Sequence, residues 1–219
     1  MKIFVPAVVE GQEWILPDLD GAYAILDGLN GARQTHWRPQ RMDLLRRRDD
    51  GSPRQYSDFP WGGAHLLFVK PRALSSLRPS LEAYGEFLPL LGADGVSLFS
   101  VTTVADALDT ERSKIVRFDD GSILDIERHA FRPEAIGSAE VFKLPEHVVR
   151  VSSIYLQESI VRRIGELGLT GIAFEMVWSD EPGLPAPARI EYSRPETPGR
   201  DPDRGLFRRT WDRLRGRRP

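Results

Sequence analysis

Between His65 and Trp178 the apolar residues fall into short runs whose period switches between two and about three and a half, which confines the chain to a mixture of strands and helices. Leu66–Val69, Phe87–Leu91, Val96–Val101, Ile115–Phe118 and Ser122–Glu127 have strand length and lie between turn-forming residues. Leu74, Leu77, Leu81 and Tyr84 keep helix spacing, as do Leu156, Ile160, Ile164 and Leu167. Pro71 suits the first turn of the first helix, and Pro79 is expected to divide that helix into two short pieces. Val148–Val151 reads as a strand, Ser152 or Ser153 as the cap of the second helix, and Gly165 or Gly168 as its end. Ile172–Trp178 alternates, with Ile172, Phe174, Met176 and Trp178 on one side. Strand, helix and strand thus occur twice, at 66–91 and 148–178, as a distant internal repeat would require.

Asp119-Asp120-Gly121 joins two of the strand-like runs, and Asp-Gly supplies the positive φ of a tight primed turn, so these strands are expected to pair antiparallel. Ile3–Val9 reads as an opening strand, placed at a sheet edge by Pro6, which has no amide donor. Gly11–Gly63 is irregular, with short elements near Ala22–Leu29 and Met42–Arg48. Residues 180–219 hold seven prolines and ten arginines with little aliphatic periodicity. The expected fold is α+β: a single domain over residues 1–180, with a mixed, largely antiparallel sheet covered by a few helices. A Pro/Arg-rich tail over residues 181–219 follows and is expected to be flexible. Leu206, Phe207, Trp211 and Leu214 within it lie near helical spacing.

The chain has no cysteine, so disulfides, thiol nucleophiles and thiolate metal sites are excluded. No apolar run approaches the roughly 20 residues that cross a bilayer. Met1–Val9 is too short and too weakly basic for a secretory leader, which sets a cytoplasmic expectation with no membrane span. His36, His65, His129 and His147 are too far apart to put two imidazoles on one helix face. No Gly-x-Ser-x-Gly elbow is present, and Trp61-Gly62-Gly63 and Gly92-Ala93-Asp94-Gly95 lack the order of a phosphate cradle. Neither a metal nor a cofactor is expected.

Carboxylates are the dense functional group. Residues 80–127 carry ten of them against Arg112, Lys114 and Arg117. Residues 204–219 hold seven arginines against Asp212, a charge of +6, which leaves −8 on the rest of a chain whose net charge is −2. An acidic body disfavours nucleic acid and favours basic partners. Asp125 and Glu127, two apart on one strand face, suit an acid/base or Mg²⁺ pair, or simply the wet side of a strand. Asp106 to Ser113 reads as a carboxylate site or as a polar loop capped by its own Asp and Ser side chains. The basic tail suits membrane or nucleic-acid contact, docking on the acidic body, or a solvated end.

The order of segments resembles a known family. Asp58-Phe59-Pro60-Trp61, Leu66–Val69 with its helix, Gly85-Glu86-Phe87-Leu88-Pro89-Leu90, Asp106-Ala107-Leu108-Asp109 with Ser113, Val141-Phe142-Lys143-Leu144-Pro145 and Leu169-Thr170-Gly171-Ile172-Ala173-Phe174 together resemble the bacterial immunity-protein family numbered eleven, over about residues 55–178. The resemblance implies a non-enzymatic protein that binds and neutralises a toxin encoded by a neighbouring gene of a polymorphic toxin locus. It implies no catalytic residue. Joined to the charge distribution, it points to exposed loop carboxylates as toxin contacts: Asp106, Asp109, Glu111, Asp119 and Asp120. Two rivals stay open: a hydrolase built on Asp106, Asp109, Asp125 or Glu127, and an adaptor whose basic tail contacts membrane or nucleic acid.

Overall fold

A computed structural model describes residues 1–18, 26, 28–149, 151–181 and 188–193. It is α+β, with antiparallel pairing throughout its named sheets. Two units organise it. In the first, β4 (Leu67–Val69), α1 (Pro71–Leu81) and β5 (Gly85–Pro89) follow one another, and β6 (Ser97–Val101) then inserts between the two strands. In the second, β10 (Tyr155–Gln157), α3 (Glu158–Glu166) and β11 (Ile172–Ser179) follow one another, and β1 (Lys2–Ala7) lies between the strands. Both strand-helix-strand segments of the sequence are therefore split by a third, antiparallel strand. β9 (Val141–Phe142) and β12 (Arg189–Tyr192) extend the second sheet to the order β12-β11-β1-β10-β9.

Alternation along the strands builds three apolar layers. Phe4, Leu67, Val69, Phe99, Leu156 and Phe174 turn inward to meet Ala73, Leu77 and Leu81 of α1 and Ile160, Val161 and Ile164 of α3. Phe68, Leu88 and Leu98 face the other way, onto Ile15 of β2 (Trp14–Pro17) and Met42 of β3 (Met42–Leu45). Ile3, Phe142 and Tyr155 on the far side of the larger sheet support β7 (Lys114–Arg117) and β8 (Ile123–Arg128), with α2 (Pro133–Ile136) beside them. Each fully buried Leu or Phe contributes about 1.5 to 3 kcal/mol, so these layers dominate stability.

Several sequence expectations are corrected here. β1 is the middle strand of five, although it contains Pro6. It pairs with β10 only at Ile3 and Phe4, so Pro6 lies beyond the point where that ladder needs a donor. α1 runs unbroken through Pro79, which falls in its last turn, where a single missing amide bond is tolerated. Val148 and Val149 both donate to the Pro145 carbonyl, at 2.9 and 3.1 Å, so that segment turns instead of forming a strand. The hydroxyl of Ser152 accepts from the Leu144 amide at 2.9 Å and is not free to cap α3, whose cap position is Gln157. The Pro-rich composition after Trp178 does not end the sheet, since Ile172–Glu175 pairs with Arg189–Tyr192. The element expected near Ala22–Leu29 and the apolar set at 206–214 lie outside the described residues, apart from Leu26, Gly28 and Leu29.

α3 ends as its sequence predicts. Gly168 has φ +62°, its amide donates to Gly165 O at 2.9 Å, and the Leu169 amide donates to Ile164 O at 3.2 Å. This is a Schellman closure, in which the left-handed residue is a glycine.

A buried polar chain ties the first 60 residues to both helices. Lys70 and Glu13, 8% and 6% exposed, form an ion pair. The Ser57 amide donates to Glu13 at 2.9 Å, and the Lys70 ammonium lies 4.0 Å above the Tyr56 ring. The Tyr56 hydroxyl donates to Asp58 at 3.1 Å. Fully buried Asp58 also accepts from Arg72 at 2.8 Å and from the Thr170 amide at 2.9 Å. Arg72 reaches on to the Gly168 carbonyl at 3.0 Å, at the C-terminal end of α3, where a cation is favoured.

Candidate protein-binding surface

The β7–β8 hairpin carries most of the residues that the sequence singles out. Ile115 faces Ile126 and Lys114 faces Arg128, which leaves Glu127 unmatched; Val116 faces Asp125 and Arg117 faces Ile123, which leaves Leu124 unmatched. Each unmatched residue is a bulge on β8. Plain alternation cannot turn Ile123 and Ile126, three apart, to the same side. With a bulge between them both join Ile115 in the layer over Ile3, Leu108 and Tyr155. Leu124 is left on the solvent side, 50% exposed.

The hairpin rests on an aromatic floor. Phe131 meets Phe142, Tyr155 and Trp178 edge-on, with centroids 6.0, 5.3 and 5.9 Å apart. His129 stacks on Phe131 at 5.6 Å, and its Nε2 lies 3.1 Å from the Tyr155 hydroxyl. Burial pushes the His129 imidazole down to about 4, against the opposing pull of Asp125, and pushes the Tyr155 hydroxyl up. His129 is thus a neutral member of the packed layer near pH 7.

At the tip the Phe118 amide donates to Ser122 O at 2.8 Å and the Gly121 amide to Phe118 O at 2.9 Å. Asp119-Asp120-Gly121 is therefore a three-residue connection with Gly121 at φ +83°, and the two-residue primed turn expected from Asp-Gly does not form. The Asp120 carboxylate accepts from the amide and hydroxyl of Ser122 at 2.9 and 2.6 Å, which fixes the turn from within. Asp119 and Asp120 are exposed, and Phe118 beside them is 52% exposed. Arg117 directs its guanidinium to the Gly121 carbonyl at 2.8 Å.

Asp106, Asp109 and Glu111 lie at the other end of the hairpin. Asp109 accepts from the Glu111 and Arg112 amides, both at 3.1 Å, so it closes its own loop. Asp106 is exposed but has Arg132 at 3.5 Å and His147 at 4.0 Å. β7, about 10 Å long, lies between the two groups along the chain. The acidic segment 80–127 as a whole does not form one surface: Glu86 accepts from the Gln34 amide at 2.7 Å and Asp94 pairs with Arg46, both around the smaller sheet.

Asp125 and Glu127 are both exposed and flank Ile126, which packs toward the core, and each carboxylate has a partner of its own. Glu127 is paired with Lys114, and Asp125 accepts from the Ile126 amide at 2.9 Å. An open cleft of about 370 Å³ lies between α1 and α3, lined by Tyr84, Glu140, Ser159 and Arg163 among others, and includes none of Asp106, Asp109, Asp125 and Glu127. Among the described residues no group of three or more His, Asp or Glu is placed to hold a metal ion, and no helix is long and apolar enough to cross a membrane.

Two surface residues were missed by sequence reasoning, Phe118 and Leu124. Leu124 had a signal: an Ile-Leu-Asp-Ile run with isoleucines three apart cannot be a plain half-buried strand. Phe118 had none, because it reads as the last residue of an apolar run.

Taken together the hairpin tip carries exposed carboxylates beside exposed apolar side chains, and none of its residues lines the cleft between α1 and α3. Residues 96–179 match the model of an immunity protein family, Imm11. The match runs from the start of β6 to the last residue of β11 and contains the whole hairpin, in agreement with the family that the order of segments resembles. Asp58-Phe59-Pro60-Trp61, β4, α1 and β5 lie outside it. No curated protein matches the chain.

Proposed function

We propose that this protein is an immunity protein of a polymorphic toxin system: it binds a toxin encoded by a neighbouring gene and neutralises it in the cytoplasm, without turning over a substrate. The supporting observation is the family match over residues 96–179, whose limits coincide with β6 and β11. The carboxylates Asp106, Asp109, Glu111, Asp119 and Asp120 serve as toxin contacts in this reading. A body of charge −8 outside residues 204–219 suits a cationic partner, and complementary charge raises the association rate by steering. The test is co-expression with the toxin module of the neighbouring locus. Cells should survive when the intact protein is present and die without it. Equal killing in both cases would overturn the proposal.

A further inference from the structure

We infer that the tip of the β7–β8 hairpin is the anchoring part of the toxin interface, with Phe118 and Leu124 as apolar anchors and Asp119 and Asp120 as the charged rim around them, so that the partner presents an apolar recess bordered by lysine or arginine. This rests on the immunity reading above.

Four observations carry it. Phe118 and Leu124 are half exposed, at 52% and 50%; of the other exposed large apolar side chains among the described residues, Leu91, Val104 and Val151, none lies on this hairpin. Both belong to the same end of one hairpin, since Phe118 closes the turn onto Ser122 and Leu124 is the bulge residue immediately before the Val116–Asp125 pair. The bulge itself aims Leu124 outward: it restores Ile126 to the core and leaves Leu124 on the open side. The turn at the tip is also closed from within, by Asp120 bonded to Ser122 and Arg117 bonded to Gly121 O.

The charge of the tip selects among occupants. Asp119 and Asp120 are exposed beside the two apolar side chains, and Asp125 lies on the same strand two residues from Ser122's neighbour Ile123. A second copy of the chain docking tip to tip would bring these carboxylates together, which complementarity disfavours. A cationic protein with an apolar recess fits both parts. The loop of Asp106, Asp109 and Glu111 is a weaker candidate for the anchor, because no large apolar side chain between residues 106 and 111 is exposed and Asp106 faces Arg132 and His147.

The test uses the full chain and the purified toxin module of the neighbouring locus, with affinity and association rate measured for the unaltered protein and four variants. Phe118→Ala and Leu124→Ala should each weaken binding about tenfold or more, as anchors in a desolvated interface centre do. Asp119→Lys with Asp120→Lys should slow association about tenfold at low salt, with a smaller effect at high salt. Glu82→Lys, which alters an exposed carboxylate at the end of α1 and outside the hairpin, should change affinity less than about threefold. Unfolding temperatures of the variants should stay near that of the unaltered protein, since none of these side chains is buried. Unaltered binding by the Phe118 and Leu124 variants would overturn the anchor assignment while leaving the immunity reading standing. Failure of the unaltered protein to bind the toxin would overturn both. Conversion of a dimer to a monomer in the Phe118 variant, with toxin affinity intact, would assign the tip to self-association and likewise overturn the inference.

Discussion

Lys70 shows how a single polar side chain holds distant pieces of this chain together. Its ammonium is buried against Glu13 and the Tyr56 ring, so removing it strands a buried carboxylate. Lys70→Met should cost about 3 kcal/mol, readable as a fall in denaturant midpoint. Glu13 does retain the Ser57 amide and Arg46 at 3.6 Å, which keeps the loss from being larger. His129 makes a prediction in pH. Its imidazole is depressed to about 4 in the folded state from an ordinary 6.5, so between those values the unfolded chain binds the extra proton. Stability is therefore unaffected by this group above pH 6.5 and falls as pH drops toward 4, by at most about 1.4 kcal/mol per pH unit. His129→Phe should flatten that part of the stability curve.

At the scale of elements, two of the positive-φ glycines, Gly171 and Gly121, make a contrast. Gly171, at φ +89°, opens β11, and a Cβ there would lie 2.0 Å from the Ser57 hydroxyl and 2.6 Å from its Cα. Gly121, at φ +83°, has open space around the same position. Gly171→Ala should destabilise by about 3 kcal/mol or more, combining strain with overpacking, and Gly121→Ala by about 1 kcal/mol from strain alone. Urea titrations of the two variants check the difference. Elements with one clear period were readable in the sequence: α1, α3, β6, β11 and the antiparallel pairing of β7 with β8. Those that depend on distant partners were not. The central place of β1 follows from β10 ending early, and β12 forms because Tyr192 packs on Phe174 and donates to the Val161 carbonyl at 3.0 Å. Of the five carboxylates singled out in the sequence, Asp106, Glu111, Asp119 and Asp120 are exposed and Asp109 is half-buried; the exposure of Phe118 had no signal, and that of Leu124 showed only in the three-residue spacing of Ile123 and Ile126.

The whole molecule packs the β7–β8 hairpin on the sheet that β1, β10 and β11 build, so the integrity of that sheet governs how the hairpin is held. Removing the chain after Asp180 deletes β12, with its packing on Phe174 and its bond to Val161, and should lower the melting temperature by about 5 °C or more. Removing it after Asp203 takes away only the +6 segment, and we expect a change of no more than about 2 °C. Loss of cooperative unfolding in the second truncation would mean that Leu206, Phe207 and Trp211 belong to the core. The same pair of truncations separates stability from charge, because the shorter tail should also make the acidic body a faster partner for a cationic protein at low salt.

The central claim is neutralisation by stoichiometric binding. The most direct measurement titrates the full-length protein against a fixed concentration of the neighbouring locus's toxin module, well above the dissociation constant, and follows residual toxin activity. The account predicts a linear fall to zero at one equivalent, with a single complex of that stoichiometry in solution. Inhibition that continues to grow with time at a small fraction of an equivalent would reveal turnover, and activity unchanged at several equivalents would show that this protein does not bind the toxin at all.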